Sequence, residues 1–148
     1  MSEKRAYKLL KGAVVRAGDY ERRMDRVENI VLPGCPDVNG CFNGVEFWIE
    51  IKEPKEPKRA KTPLFGSNHR LSVEQRNWIK RQLLAKGLAY IYIDTGSWRL
   101  LISGRWADEL NEMTLSELKD VALWVGKVPI KDTVHWEGIA NAIISRQI

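Results

Sequence analysis

The sequence predicts an α/β fold in which a mixed sheet is flanked by helices, and three stretches carry that expectation. Val45, Phe47, Ile49 and Ile51 alternate with Glu46, Trp48, Glu50 and Lys52, a period of two that reads as a strand. Asn-Gly pairs at 39–40 and 43–44 in front of it signal a hairpin, because both residue types tolerate the positive φ of a type I′ turn; with two such pairs, the turn is expected to be a longer loop or one pair a bulge. Ser72-Val73-Glu74-Gln75 is a capping box that opens a helix to about Lys86, with Gly87 as its stop, and the β-prone run 88–93 follows. Strand, helix and strand in that order make a crossover with parallel strands. Two amphipathic segments near the end, 114–125 and 133–146, supply further helices.

The remaining elements are expected as follows. Residues 3–12 form a short helix with Ala6, Leu9 and Leu10 on one side and Gly12 as its stop; Glu3 sits in its first turn. Residues 19–26 allow a helix, and 27–32 alternate as a strand running into Pro33-Gly34. Residues 53–70 (EPKEPKRAKTPLFGSNHR) are a loop, since three prolines and a glycine interrupt any regular element. The helix from Ser72 carries Trp78, Ile79, Leu83 and Leu84 as its apolar stripe. Thr95-Gly96-Ser97 turns into a strand over 98–102, and Arg105-Trp106 opens a short helix or turn. Thr114-Leu115-Ser116-Glu117 is a second capping box, its helix stopping at Gly126.

The chain has 148 residues, enough for one domain with its own core and too few for two ordinary ones. A formal charge of +5 fits a polyanionic partner without requiring one. Cys35 and Cys41 are neither a Cys-x-x-Cys pair nor part of a Cys/His set, which argues against structural zinc, and both are expected reduced. His69 and His135 are isolated. There is no Walker-type phosphate loop, no apolar run of membrane-spanning length and no signal-peptide pattern after Met1, so neither a membrane nor an organic cofactor is expected, and the location expected is cytoplasmic.

The chemistry gathers between Gly34 and Lys52. In a strand, Glu50 and Lys52 share one face while Ile49 and Ile51 share the other, and the hairpin folds Asp37 back beside them. Two carboxylates and an ammonium then converge. Mg²⁺ takes hard oxygen ligands and usually only one or two protein carboxylates, so Asp37 and Glu50 with the main-chain carbonyl of Ile51 form a candidate set, Mn²⁺ being a substitute. Lys52 would orient or help deprotonate a water and offset phosphate charge. The bland alternative is the polar face of a half-exposed strand with Asp37 as a turn residue. The loop that leaves Lys52 carries Lys55, Lys58, Arg59, Lys61 and Arg70, a candidate clamp on nucleic-acid phosphate, and Arg76 and Lys80 add a basic ridge four residues apart on the next helix.

Pro36-Asp37 followed by Glu50-Ile51-Lys52 resembles the PD-(D/E)XK nuclease motif. Arg26-Val27-Glu28-Asn29, Gly34-Cys35-Pro36-Asp37-Val38 and Leu71-Ser72-Val73-Glu74-Gln75 resemble its VRR-NUC-like and phage-type Holliday junction resolvase branch, over about residues 20–105. The resemblance implies a restriction-endonuclease-like core with two extra C-terminal helices over about 106–148, one nuclease domain in all. It implies a Mg²⁺-dependent endonuclease acting on branched DNA in phage-type recombination, repair or replication. Gln75 becomes a site-lining residue, in competition with its capping role, and Glu28 an additional acid, unless it pairs with Arg26 or Lys52. The alternative is a DNA-binding or assembly module that keeps the fold without cleaving. Cutting both strands of a junction takes two sites, so a homodimer is expected. Trp124, Trp136, Ile139, Ile143 and Ile144 are candidates for its interface or, equally, for the core of one chain.

Overall fold

The computed structural model of the protein describes residues 2–16, 18–27, 32–66 and 69–148. In chain order its α-helices and strands are α1 (Ser2–Val14), β1 (Arg22–Arg26), β2 (Val38–Phe42), β3 (Val45–Lys52), α2 (Val73–Leu84), β4 (Ala89–Asp94), β5 (Trp98–Ser103), α3 (Leu115–Val121), β6 (Trp124–Lys127) and α4 (Thr133–Ile144), with short 3₁₀ helices at Gly104–Trp106 and Leu110–Glu112 between β5 and α3. The strands form one six-stranded sheet in the order β1-β2-β3-β4-β5-β6. The β3–β4 contact is parallel and the other four are antiparallel. Tight turns reverse the chain between β2 and β3 and between β4 and β5, whereas α2 carries it back so that β4 starts from the same end of the sheet as β3.

The β2–β3 turn is Asn43-Gly44, with φ of 52° and 83°, the left-handed pair a type I′ turn requires. The other Asn-Gly pair lies in unbroken register inside β2, so neither the longer loop nor the bulge expected from two pairs is formed. Gly40 is opposite Phe47, and a Cβ there would stand 2.2 Å from the Phe47 ring, so glycine lets that ring lie flat across the strand.

Two apolar layers enclose the sheet. On one face, Leu10 and Val14 of α1 and Trp136, Ile139 and Ile143 of α4 pack on Phe47, Ile49, Ile51, Tyr90 and Tyr92. On the other, Ile79 of α2 and Leu118 of α3, with Leu64, Phe65 and Leu110, cover Ile91, Ile93, Leu100 and Ile102. No helix among the described residues is long and apolar enough to cross a membrane.

Several expectations change. Helix α1 continues through Gly12, because the following turn buries Val14 completely, and that burial outweighs the roughly 1 kcal/mol helix cost of glycine. Residues 22–26 are a strand rather than a helix: Met24 alone points inward, and the backbone pairs with β2. Of the strand expected over 27–32, residues 28–31 lie outside those described, and so does Glu28. At the end of α2 the left-handed residue is Lys86, φ 69°, while Gly87 donates to the Gln82 carbonyl one step later. The α2 stripe is narrower than expected: Ile79 is buried, Trp78 packs edge-on against Trp48, and Leu84 is 79% exposed. Helix α3 stops at Val121, and residues 124–127 form the edge strand β6, because Leu100 and Leu101 offer their open ladder to Val125 and Trp124. The C-terminal extension thus adds a strand as well as two helices.

Of the two readings of the C-terminal apolar face, the core of this chain is the one the burial supports. Trp124, Trp136, Ile139 and Ile143 are at most 7% exposed and belong to the core of this chain, with Ile144 packed against them. Helix α4 is fastened there by charge. Glu137 takes two hydrogen bonds from Arg22 at 2.7 Å each and a further contact from Arg16, while Arg22 also donates to the Val14 carbonyl. The Arg22 hydrogen bond holds the Glu137 carboxyl below the usual range. A depressed carboxylate contributes stability that is full above its unfolded pKa and is lost as pH falls through the folded one. Glu137→Ala should therefore lower unfolding free energy by about 1–3 kcal/mol at neutral pH. Urea melts should show the gap between variant and wild type closing in acid; a gap that persists there would assign the loss to packing instead.

Candidate active site

Strand β3 presents its end to two environments. Ile49 and Ile51 are sealed into the α1/α4 layer, while Glu50 and Lys52, opposite Ile91 and Ile93, rise on the α2 face. Glu50 is 2% and Lys52 7% exposed. Both are held by Gln75: its amide nitrogen donates to Glu50 Oε2 at 3.0 Å, and its oxygen accepts from Lys52 Nζ at 3.3 Å. Lys52 Nζ lies 3.4 Å from Glu50 Oε2. Gln75 Oε1 also accepts from the Ser72 backbone N–H at 2.9 Å, while Gln75 N–H bonds the Ser72 hydroxyl. The capping and site-lining roles that compete on sequence grounds are therefore both filled by one side chain.

Asp37 arrives from the other side. Pairing of β2 with β3 ends at Val38 and Ile49, and beyond it the Ile51 N–H is taken by Asp37 Oδ2 at 3.0 Å. In an antiparallel ladder a bonded residue turns its N–H and its C=O to the same neighbour, so the Ile51 carbonyl faces the gap where Asp37 stands. Gly34 fixes the approach. Its φ is 83°, and a Cβ there would stand 2.2 Å from the Glu74 carbonyl oxygen, so the Gly34-Cys35-Pro36-Asp37 segment can lie directly on the first turn of α2, beside Gln75.

Among the described residues one oxygen has no partner: Glu50 Oε1 is buried and makes no hydrogen bond. Burial first, then the charge of Asp37, push the Glu50 carboxyl up to about 8, against the opposing pull of Lys52. A buried carboxylate with a bare oxygen, a second carboxylate and a strand-end carbonyl form a hard oxygen set that fits a divalent cation such as Mg²⁺. Among the described residues there is no group of three or more His, Cys, Asp or Glu placed to hold a metal. The set rests on two carboxylates, which is what Mg²⁺ usually takes from a protein.

The other sequence candidates divide. Lys55, Lys58, Arg59 and Lys61 are exposed on the loop after Lys52. That loop is not free of the core as its composition suggests: Leu64 and Phe65 are buried, and the Leu64 N–H bonds the Met113 carbonyl at 3.0 Å. Arg70 pairs with Glu112 and Lys80 with Asp108, both on the surface, while Arg76 is half-buried on α2. Sequence reasoning missed Cys35, whose thiol is raised by burial and by the charges of Glu50 and Asp37, which suppresses the thiolate beside the carboxylates. It also missed Asp94 and Arg99, an ion pair at 3.1 Å in the wall of a cleft of about 990 Å³ that begins at Glu53, one residue past Lys52. Their opposite charges at the ends of a β-turn were the available signal.

This sheet, with its one parallel contact and helices on both faces, is the restriction-endonuclease-like fold. Among solved structures the chain is similar to Hjc, a Holliday junction resolvase of the archaeal hyperthermophile Archaeoglobus fulgidus, with a TM-score of 0.50 and 18% identity over 79% of this chain and 87% of that one. At that identity the likeness is one of fold. No family model matches the sequence, and no curated protein matches it.

The raised Glu50 carboxyl has a measurable consequence. Between the ordinary carboxylate range and about 8, the folded metal-free protein keeps a proton that the unfolded chain has released, so stability falls as pH rises through that window. Glu50→Gln cannot titrate. In EDTA, the wild type should lose stability relative to Glu50→Gln by roughly 1 kcal/mol per pH unit across it. Parallel melting curves from pH 5 to 8 would refute the assignment.

Proposed function

We propose that this protein is a divalent-metal-dependent endonuclease that hydrolyses phosphodiester bonds in DNA, selective for branched substrates such as four-way junctions. The observation that carries the reading is the gathering of Asp37, Lys52 and Gln75 about the end of β3, where Gln75 and Lys52 hold Glu50 Oε2 and leave the buried Oε1 without a hydrogen bond among the described residues. The fold shared with a protein described as a Holliday junction resolvase supports the choice of branched DNA.

In this reading Asp37, Glu50 and the Ile51 carbonyl hold Mg²⁺, or Mn²⁺ in its place. The cation, when bound, polarises the scissile phosphate and lowers the pKa of an attacking water. Lys52 keeps its ammonium beside that position, where it orients the water and offsets phosphate charge. Gln75 fixes both Glu50 and Lys52, so neither side chain has to be ordered when substrate arrives. Glu28 remains a proposed additional acid. Lys55, Lys58, Arg59, Lys61, Arg70, Arg76 and Lys80 are proposed contacts to the DNA backbone, with Arg70 and Lys80 exchanging exposed carboxylate partners for phosphate at little cost.

The test is cleavage of a labelled panel (four-way junction, flap, linear duplex and single strand) with Mg²⁺, Mn²⁺, Ca²⁺ or EDTA. Cutting should require Mg²⁺ or Mn²⁺ and be strongest on the junction, with Ca²⁺ supporting binding but little turnover. Asp37→Asn, Glu50→Gln and Lys52→Ala should each lower turnover by roughly 100-fold or more while the protein stays folded. Undiminished cleavage in EDTA, or wild-type turnover in any of the three, would overturn the site. Binding without cutting under every metal condition would leave a DNA-binding module.

We also propose that the active form is a homodimer, since one chain carries one such site and resolving a junction takes two cuts. Its interface lies elsewhere than the buried α4 face. Light scattering at micromolar protein, with and without junction DNA, should give twice the chain mass; a monomer in both conditions refutes the dimer.

A further inference from the structure

We propose that Trp98, Lys119 and Lys127 form a second contact for the DNA backbone, built by β5, α3 and β6 and separate from the carboxylate site; the proposal rests on the nuclease reading. Trp98 opens β5 and is half-buried. Lys119 Nζ sits 3.4 Å from the centroid of its indole, and Lys127 Nζ 5.6 Å. Lys127 is the cross-strand partner of Trp98, and Lys119 lies on α3, next to Leu118, which anchors that helix to the sheet. One ring therefore gathers two ammonium groups within about 9 Å of each other, an arrangement that like-charge repulsion opposes.

No carboxylate answers them. Neither lysine makes an ion pair among the described residues. Glu117, on the same helix, is turned back to its own cap at Thr114, and Asp120 is exposed without pairing to Lys119. A lysine on an edge strand is commonly a guard against strand pairing, and that accounts for Lys127. It does not account for Lys119, which is partly buried on a helix with only an aromatic face to offset its charge. A cation–π contact holds an ammonium in place while leaving its hydrogen bonds open, which suits a phosphate oxygen.

The position fits the same DNA. Lys52 is level with Ile93, and Ile93 with Leu100; Trp98 is two residues further along β5 on the same face, and Lys127 lies beside it. Strand spacing and rise put Trp98 and Lys127 roughly 12–16 Å from Lys52, about four base pairs along a duplex. The loop carrying Lys55, Lys58, Arg59 and Lys61 is tied across this gap where Glu56 accepts a hydrogen bond from Thr95 at 3.2 Å. Basic groups thus run from the carboxylate site across the end of the sheet to its edge.

The experiment combines Lys119→Gln with Lys127→Gln, which removes charge and keeps most of each stem, and compares Trp98→Leu, which keeps both charges and removes the platform. Fluorescence anisotropy across a salt series, in Ca²⁺, reads binding to junctions whose arms either extend twenty base pairs from the expected cut or are closed two base pairs past it by a hairpin loop. For long arms, the double variant should bind about tenfold more weakly at low salt. Its plot of log K against log salt should be shallower by about two units, the loss of two phosphate contacts. Trp98→Leu should fall between it and wild type. Short-arm binding and turnover should be unchanged in both variants. Wild-type affinity and slope on long arms, an equal deficit on both arm lengths, or a lowered melting temperature with unaltered binding would each overturn the contact. A wild-type protein that binds no DNA would remove the nuclease reading with it, whereas normal binding by wild type and double variant alike removes this contact alone.

Discussion

A carboxylate buried at the end of a central strand, with one oxygen unpaired among the described residues, is the constraint around which this structure is arranged. Glu50 Oε1 makes no hydrogen bond among the described residues, and leaving a buried polar group unpaired costs of order 1–3 kcal/mol even when it is uncharged. The sheet cannot relieve it by turning the side chain away, because Ile49 and Ile51 on either side are locked into the opposite apolar layer. A shift of one residue in register would put those isoleucines on the polar face and Glu50 in the core. The neighbours of Glu50 are placed with the same economy: Gln75 by a helix cap, Asp37 by the Ile51 N–H, and the Asp37 segment by a glycine packed against α2.

That economy explains why so few residues make the site rigid. Asp37 and Gln75 are tied to backbone that would be ordered anyway, and Gln75 in turn holds Glu50 and Lys52. Asp37 satisfies the first N–H beyond the end of the β2–β3 ladder, and Gln75 satisfies an orphan N–H at the start of α2. The bonds that fix the site therefore also close the fold, and no separate entropy is lost in holding the side chains. Preorganised groups of this kind stabilise charge without rearranging as it forms.

The parts legible in the sequence were those set by short-range rules. The β2–β3 hairpin, both capping boxes and the alternation in β3 follow from residues within a few positions of one another, and all are present. The facing of Glu50 and Lys52 followed from period alone. Where pairing was non-local, local signals misled. Arg22–Arg26 has a single apolar residue and becomes a strand only because β2 offers a ladder, and Trp124–Lys127 reads as the tail of a helix until β5 presents its open edge. The apolar face of α4 could equally have met a second chain; α1, which claims it, is more than a hundred residues away in sequence. The two roles of Gln75 looked exclusive because a sequence gives no distances, and one oxygen between a backbone N–H and an ammonium serves both.

The loop after Lys52 shows how composition can be correct about chemistry and incomplete about order. Its prolines and charges keep it irregular and basic, as expected, yet Leu64 and Phe65 are driven into the layer beneath α2 and α3, and Glu56 is joined to the β4–β5 turn. The segment is thus pinned at both of those points and carries Lys58, Arg59 and Lys61 exposed on the arc between them. A free loop of that length would lose the conformational entropy of every residue on meeting a rigid polyanion. An arc already held at two points loses only what remains in the arc and its side chains. Burial of two apolar residues in folding is thereby what makes a surface of lysines and arginines effective toward a ligand that those two residues never touch.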